Sequence, residues 1–289
     1  GRFASIDPSD GDVEVFDTLP DTVFTNASFD DVLVHEDRVY VAGGDTNLLV
    51  YNALNMTLVD SITGFVPRKL AIHNGLLLMT TYDAPYFRAY NLGSLSLAWS
   101  LDTTKVPDEA DDLYLKGDTA FVAVSGLNGF GDNGRIGNTI VVINLPVQDT
   151  IATVTVGSNP TQLIPSGDNL YVKSLYGVFP DAFIELVGVN TQTLSVVSRD
   201  SLEDSNFFGP ATGDGQLIYY QDTTPQLAAF NPVSGVKSNG LPGDFYAATY
   251  ADELGAFLLS QGSFGADTSQ VLVWSPIGIG SGEVDTFLL

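Results

Sequence analysis

Two histidines and no cysteine leave little from which to build a nucleophilic site. His35, in His35-Glu36-Asp37-Arg38, and His73, in His73-Asn74-Gly75-Leu76, recur at one position of a repeat that elsewhere reads Lys116-Gly117-Asp118 and Ser166-Gly167-Asp168. That position is a tight turn between strands, where a histidine is ordinarily solvated. A nucleophile and its base must lie within about 3 Å of each other, and two turns on neighbouring repeats do not provide that. Zinc would call for a cysteine or a third histidine, and no stretch has the Asp-x-Asp-x-Asp-Gly spacing with a twelfth-position Glu of a calcium loop. The sequence points to no catalytic residue, no cofactor and no metal ligand, with a cation held by axial carboxylates as the one open alternative.

Paired charges carry more information. Asp30-Asp31 and Asp111-Asp112 each stand just before an apolar strand, and Arg68-Lys69 stands at the equivalent place between them. Such pairs can form a polar collar that holds a cation or orients a ligand through charge-assisted hydrogen bonds. The blander reading, mutual neutralisation of strand-end charges, is favoured. Several loops are longer and more aromatic than the two to five residues of an idle hairpin: Thr81 to Phe87, Gly126 to Asn138 and Tyr176 to Pro180, with Gly262-Ser263-Phe264. Exposed rings offer large apolar contact at low entropic cost. The candidate ligand-binding set is therefore Tyr82, Tyr86, Phe130, Tyr176, Phe179 and Phe264, with Arg68, Asp31 and Asp112 to fix orientation. Phe65, Phe207, Phe208, Phe245 and Tyr246 lie in connections on the same side, and about half of all these rings are expected to pack between repeats. Ser125 to Gly137, rich in glycine but without lysine, reads as a flexible flap and not as a phosphate cradle.

The elements that position these residues follow from the repeat. An apolar strand ending in an aromatic or aliphatic residue and then Asn, Asp or Ser occurs seven times: at Phe16-Asp17, Tyr51-Asn52, Tyr90-Asn91, Ile143-Asn144, Val189-Asn190, Phe230-Asn231 and Trp274-Ser275, about 43 residues apart. That is the length of a four-stranded propeller blade. A second strand precedes each copy, centred on Phe3, Tyr40, Leu78, Phe121, Tyr171, Tyr219 and Phe257. Ahead of six of these runs an innermost strand, such as Val32 to Val34 or Leu113 to Leu115. Fourth strands follow at Thr57 to Ile62, Leu95 to Leu101, Thr150 to Val156 and Thr193 to Val197. The expected fold is all-β: a seven-bladed β-propeller of four-stranded antiparallel blades, one domain over 1–289, with one blade closing the ring near the termini. Phe3 is already a second-strand marker and Glu283 to Leu289 reads as the last blade's fourth strand, so a three-stranded closing blade or a missing C-terminal strand is expected.

The 35 acidic residues against 11 basic, a net charge of −24, oppose nucleic acid and anionic lipid as partners. Asp accounts for 28 of the acids and Glu for 7, again favouring turns over helices. Such an excess suits a halophilic or marine protein kept soluble by self-repulsion. No run approaches 18 apolar residues, so no membrane span is expected. Gly1 is followed by no leader pattern, and an exported protein would have lost its signal.

Val66-Pro67-Arg68-Lys69-Leu70, Val156-Gly157-Ser158-Asn159-Pro160 and Asn169-Leu170-Tyr171-Val172 resemble the YncE-like propeller family along the whole chain. Val271-Leu272-Val273-Trp274, followed by a Gly-rich turn and Phe287, resembles the surface-layer propeller lipoproteins of Bacteroidetes, the group that includes BtuG-like corrinoid-capturing proteins. This resemblance implies a non-enzymatic binding role at the cell surface or in the periplasm, a small-molecule ligand such as a corrinoid, and an outer-membrane transporter as partner. A cell-envelope scaffold for protein partners and a metal-dependent, lactonase-like hydrolase are the alternatives.

Overall fold

The Asn that ends each repeat marker organises its blade locally. Asn52, Asn144, Asn190 and Asn231 turn Oδ1 back to accept the backbone N–H groups of Leu54, Val147, Gln192 and Val233 at 2.9–3.1 Å. The residue after the Asn donates its own N–H to the turn between the first two strands: Ala53 to Asp37 O, Leu92 to Gly75 O, Leu145 to Asp118 O and Thr191 to Asp168 O. One short side chain thus reverses the chain while its neighbour ties two hairpins together.

The computed structural model describes residues 3–6, 13–16, 29–43, 47–55, 57–126, 137–176, 183–206, 209–224, 226–251, 256–261, 270–274 and 284–288. The first sheet has strands β1 (Phe3–Ile6) and β2 (Val13–Phe16). Blade 2 holds β3 (Phe29–His35), β4 (Arg38–Gly43), β5 (Asn47–Asn52) and β6 (Leu58–Thr63). Blade 3 holds β7 (Pro67–His73), β8 (Leu76–Thr81), β9 (Phe87–Asn91) and β10 (Leu97–Leu101). Blade 4 has β11 (Ala110–Lys116), β12 (Thr119–Val124), β13 (Thr139–Asn144) and β14 (Asp149–Thr155). Blade 5 has β15 (Ser158–Ser166), β16 (Asn169–Tyr176), β17 (Phe183–Asn190) and β18 (Ser195–Leu202). Blade 6 comprises β19 (Ala211–Gly213), β20 (Ile218–Gln221), β21 (Gln226–Asn231) and β22 (Val236–Pro242). Blade 7 comprises β23 (Phe245–Ala251), β24 (Ala256–Gln261), β25 (Gln270–Trp274) and β26 (Val284–Leu288). Among the described residues there is no helix. Six four-stranded antiparallel sheets and one two-stranded sheet fit the seven repeats.

The phasing of the markers is real in the pairing register. Tyr40, Leu78, Phe121, Tyr171 and Tyr219 lie opposite Val50, Ala89, Val142, Gly188 and Ala229, each the residue before the third-strand marker. β26 is the fourth strand of the last blade, as expected, and β22 supplies one that the sequence did not reveal.

The first strands of consecutive blades adjoin one another from β3 through β7, β11, β15 and β19 to β23, so they line the axis. Fourth strands form the rim, where Leu58, Leu97, Ile151, Val197 and Val236 are exposed. Because a sheet alternates its side chains between faces, each middle strand is buried twice over, once against each neighbour. The resulting cores lie between blades: Tyr40, Leu48 and Val50 against Leu70, Leu77 and Met79, Leu78 and Phe87 against Val106, Leu113 and Val122, and Phe121 and Ile140 against Leu170 and Val187. Each such side chain contributes about 1.5–3 kcal/mol. Val32 and Val34, on the opposite face of β3 from Leu33, remain 48% and 66% exposed, whereas Leu70 and Leu113, at Val32's place in the next two blades, are 3% and 6% exposed.

Candidate functional site: a charged collar over an axial cavity

A β-bulge interrupts the start of the first strand in blades 2, 3, 4, 5 and 7, between Phe29 and Asp31, Pro67 and Leu70, Ala110 and Leu113, Ser158 and Gln162, and Phe245 and Ala247. A bulge re-aims the residues it contains. Here it brings consecutive polar side chains to the mouth of the ring, where a regular strand would send every second one into the core.

The first residue of each charged pair engages across the mouth. The Arg68 guanidinium bridges its two neighbours, ion-paired with Asp30 of blade 2 and with Asp111 of blade 4, 3.0 Å from Nη2 to Oδ1. Tyr82 donates its hydroxyl to the same Asp111 Oδ1 at 2.6 Å, and the Arg68 Cζ lies 4.4 Å from the Tyr82 ring centre. The second residue of each pair stitches blades together. Asp31 Oδ1 accepts from Lys69 Nζ at 2.9 Å and Oδ2 from the Leu70 N–H at 2.9 Å. Asp112 Oδ2 accepts from the Leu163 N–H at 2.7 Å and Oδ1 from the Leu113 N–H at 2.8 Å. Gln162, at the same repeat position, donates Nε2 to Ala211 O at 3.3 Å.

A third set lies on the second strands, two residues past the marker. Thr80, Lys173 and Gln221 are buried and each donates to a backbone carbonyl of the following blade or of the connection leading into it: Thr80 to Asp111 O at 3.1 Å, Lys173 to Gly209 O at 2.7 Å and Gln221 to Gly243 O at 3.2 Å. Gln162, Lys173 and Gln221 were missed from the sequence. Aligning the repeats on their markers would have found all three, because each is a polar residue where an apolar strand is expected.

The electrostatics follow from this crowding. Burial raises the Asp30 carboxyl above its ordinary range, Arg68 pulls it down, and Asp111 and Asp31 add to the rise. Burial pushes Asp112 up to about 6, against the lowering effect of Lys69 and the two backbone N–H groups. Burial brings Lys173 down to about 8, with Asp111 opposing. For Arg68, burial disfavours the charge but Tyr82, Asp111 and Asp30 outweigh it, and its proton is held more tightly than usual. The ion pairs are those expected of strand-end neutralisation, and they are incomplete, since four carboxylates face two cations in these pairs.

Beneath the collar lies a half-open cavity of about 610 Å³, lined by the first strands of blades 3 to 7. Lys69, Asp112 and Gln162 stand at its upper end, Leu163 and Ile164 along its wall, and Asp214 at the turn that closes blade 6 below.

Of the candidate ligand residues, Arg68, Asp31, Asp112 and Tyr82 come together in the collar. Tyr82 is half-buried and committed to Asp111 and Arg68; Tyr86 is half-buried against the core between blades 3 and 4. Phe65 and Phe245 are core residues, Phe65 stacking on Tyr90 with ring centres 6.1 Å apart. Tyr176 ends β16, but its side chain and the residues Phe130, Phe179, Phe264, Phe207 and Phe208 lie outside the described residues, as does the side chain of Tyr246. The glycine-rich segment is likewise described only at its two ends. His35 and His73 are the last residues of β3 and β7, next to the turns at the opposite face, with His73 Nε2 3.1 Å from Asp118 of the next blade. Among the described residues no cluster of three His, Cys, Asp or Glu side chains is placed to hold a metal ion, and no helix is long and apolar enough to cross a membrane.

The sequence matches no family model and no curated protein. Solved structures do match. The chain is similar to BamB from Moraxella catarrhalis, with TM-score 0.62 and 14% identity over 97% of this chain and 78% of that one. It is similar to the Neurospora crassa Pan2 WD40 domain, with TM-score 0.67 and 8% identity over 89% and 78%. It is also similar to Kuenenia stuttgartiensis hydrazine synthase, with TM-score 0.66 and 12% identity over 89% and 80%. At such identities the likeness speaks for architecture alone, and with the sheet order and register it makes this chain a β-propeller.

Proposed function

We propose that this propeller is a non-enzymatic binding protein of the cell envelope that captures a small molecule at its axis. The observation that carries the reading is the 610 Å³ cavity under a collar of charged and amide side chains, a volume within the range of ligand sites. The absence of a catalytic role is part of the proposal and is supported by the place of both histidines at strand ends on the face away from the collar. The extracytoplasmic setting rests on the resemblance to surface-layer propellers. A corrinoid, the ligand that resemblance suggests, is far larger than the cavity and would sit above it on the loops.

Mixing the protein with cobalamin and resolving it on a sizing column tests the corrinoid, which should co-elute as coloured protein. A thermal-shift panel of amines, sugars and carboxylates tests the cavity. Thr249 lines the cavity and is exposed there, so Thr249→Trp should fill it and remove the response to any ligand held inside. An unchanged response would place binding elsewhere.

A protein-interaction scaffold is the second reading, and a repeated surface feature favours it. Leu54, Val147 and Val233 occupy the same turn in blades 2, 4 and 6 and are 80%, 67% and 93% exposed. Replacing all three with Ser should abolish a protein contact made there while leaving small-molecule binding intact.

A further inference from the structure

Asn55-Met56-Thr57, in the turn between β5 and β6, has the Asn-x-Thr pattern of an N-glycosylation acceptor. Asn26-Ala27-Ser28 shares the pattern but lies outside the described residues. Asn159-Pro160-Thr161 is disqualified twice, by its central proline and because Asn159 is only 6% exposed. Asn55 and Thr57, in contrast, are both exposed. Asn55 Oδ1 accepts from the Thr57 hydroxyl at 2.8 Å and from the Thr57 N–H at 3.1 Å, so the third residue of the pattern already holds the carboxamide oxygen. Among the described residues Asn55 Nδ2, the atom that a sugar would occupy, makes no hydrogen bond.

The fold does not require an amide at this place. In the equivalent turn of blade 3, Ser94 Oγ lies 2.8 Å from Ser96 Oγ, and in that of blade 5, Thr193 Oγ1 lies 2.8 Å from Ser195 Oγ. A hydroxyl therefore makes the same contact, and Val147 holds the place in blade 4 with a side chain that cannot make it. What blade 2 adds is a carboxamide nitrogen at the surface. Its surroundings give that nitrogen a use. Leu54, Leu58 and Val59 beside it are 80%, 55% and 52% exposed, apolar surface that a bulky, solubilising sugar would cover.

We propose that Asn55 is an N-linked glycosylation site, modified by transfer from a polyprenyl-pyrophosphate-linked sugar. The bond from Nδ2 to the sugar C1 forms and the bond from C1 to the pyrophosphate oxygen breaks. Nδ2 gives one proton to a base of the transferase, and the polyprenyl pyrophosphate leaves with the electron pair. Thr57 contributes by donating to Oδ1, which makes the Nδ2 protons more acidic. The site is separate from the axial cavity and goes beyond ligand capture; it rests only on the envelope setting of the proposed function, because such transfer takes place on the exported side of a membrane. A glycan beside Leu54 would also confine any protein contact at these turns to Val147 and Val233.

Peptide mapping by mass spectrometry, on protein isolated from the cells that make it, should find a sugar on the Asn55 peptide, and electron-transfer fragmentation should place it on Asn55. The Asn159 peptide should be bare. Produced in the same cells, Thr57→Ala should lose nearly all of the modification, whereas Thr57→Ser, which keeps the hydroxyl, should retain it. Both changes are at an exposed turn, and melting temperatures close to that of the unaltered protein would show that folding is not what changed. An unmodified Asn55 in the native protein, or full modification in Thr57→Ala, would overturn the proposal. Cell fractionation separates the two readings involved. Protein recovered from the envelope with Asn55 bare sinks the glycosylation site and leaves the envelope setting standing, whereas recovery from the cytoplasm sinks both.

Discussion

Arg68 is the side chain whose removal would test the collar most directly. Its guanidinium joins three blades through Asp30 and Asp111, with side-chain exposures of 26% for Arg68, 15% for Asp30 and 5% for Asp111. Arg68→Met keeps most of the aliphatic bulk but leaves two carboxylates facing each other with little solvent, and gives up the contact over Tyr82. Breaking a buried pair by removing one partner costs about 3–5 kcal/mol; partial exposure of Arg68 brings the expected loss to about 3 kcal/mol. At about 2–4 °C per kcal/mol for a large domain, the melting temperature should fall by about 6–12 °C. The loss should also depend on pH. Without the guanidinium the folded-state pKa of Asp30, already above its unfolded value, rises further. The folded variant therefore takes up a proton that the unfolded chain does not, and its stability recovers as pH falls from 7 towards 5. Urea unfolding of both proteins at pH 7 and pH 5 measures this, and Asp30→Asn placed in the variant should restore part of the loss at pH 7. A loss under about 1 kcal/mol, or one equal at both pH values, would refute the idea that Arg68 neutralises a carboxylate pair.

Two further predictions follow from the same geometry. Asp112, held up to about 6, should titrate near that value by carbon-detected NMR, and a midpoint below 4.5 would contradict its enclosure. Since its folded pKa exceeds the unfolded one, its contribution to stability grows as pH falls from about 7 to about 4, by up to about 3 kcal/mol. In the turns after the repeat Asn, the residue four positions on takes a left-handed backbone, at Leu95 (φ 51°), Gln148 (φ 58°), Leu194 (φ 54°) and Gly235 (φ 70°). Gly235→Ala should therefore cost about 1 kcal/mol although a Cβ there meets nothing within 4 Å. Gln148→Gly should gain about 0.5 kcal/mol, and opposite signs in denaturant midpoints would sink the account.

The repeat was legible because one physical device recurs. Asn at the end of the third strand caps the turn through its own side chain, so the residue cannot drift without losing one or two hydrogen bonds to the turn's backbone, and its spacing carries the blade period into the sequence. The fourth strand of blade 6 was hidden for the opposite reason. Val236-Lys237-Ser238-Asn239-Gly240-Leu241-Pro242 lies at the exposed rim, where no buried face demands apolar alternation, and Gly240 is there because the bulged backbone brings Leu227 O to 1.5 Å from where a Cβ would stand. The collar was half legible. Charge type and position gave Asp31, Arg68, Lys69 and Asp112, and the favoured reading of neutralisation describes the ion pairs found. What stayed hidden was the direction of each side chain, because direction is set by bulges and a bulge leaves no composition of its own: Asp, Arg, Gln and Phe all occupy those places. The same gap hid the direction of Tyr82. Tyr82 was placed on an open rim by its loop position, yet a loop aromatic beside a buried carboxylate gains more from donating its hydroxyl and covering the guanidinium than from waiting in solvent. Side chains that satisfy one another are poor ligand contacts, and those left unsatisfied are good ones. That is why Gln162, whose Oε1 is buried without a partner and whose residue lines the axial cavity, marks the axis better than Tyr82 does.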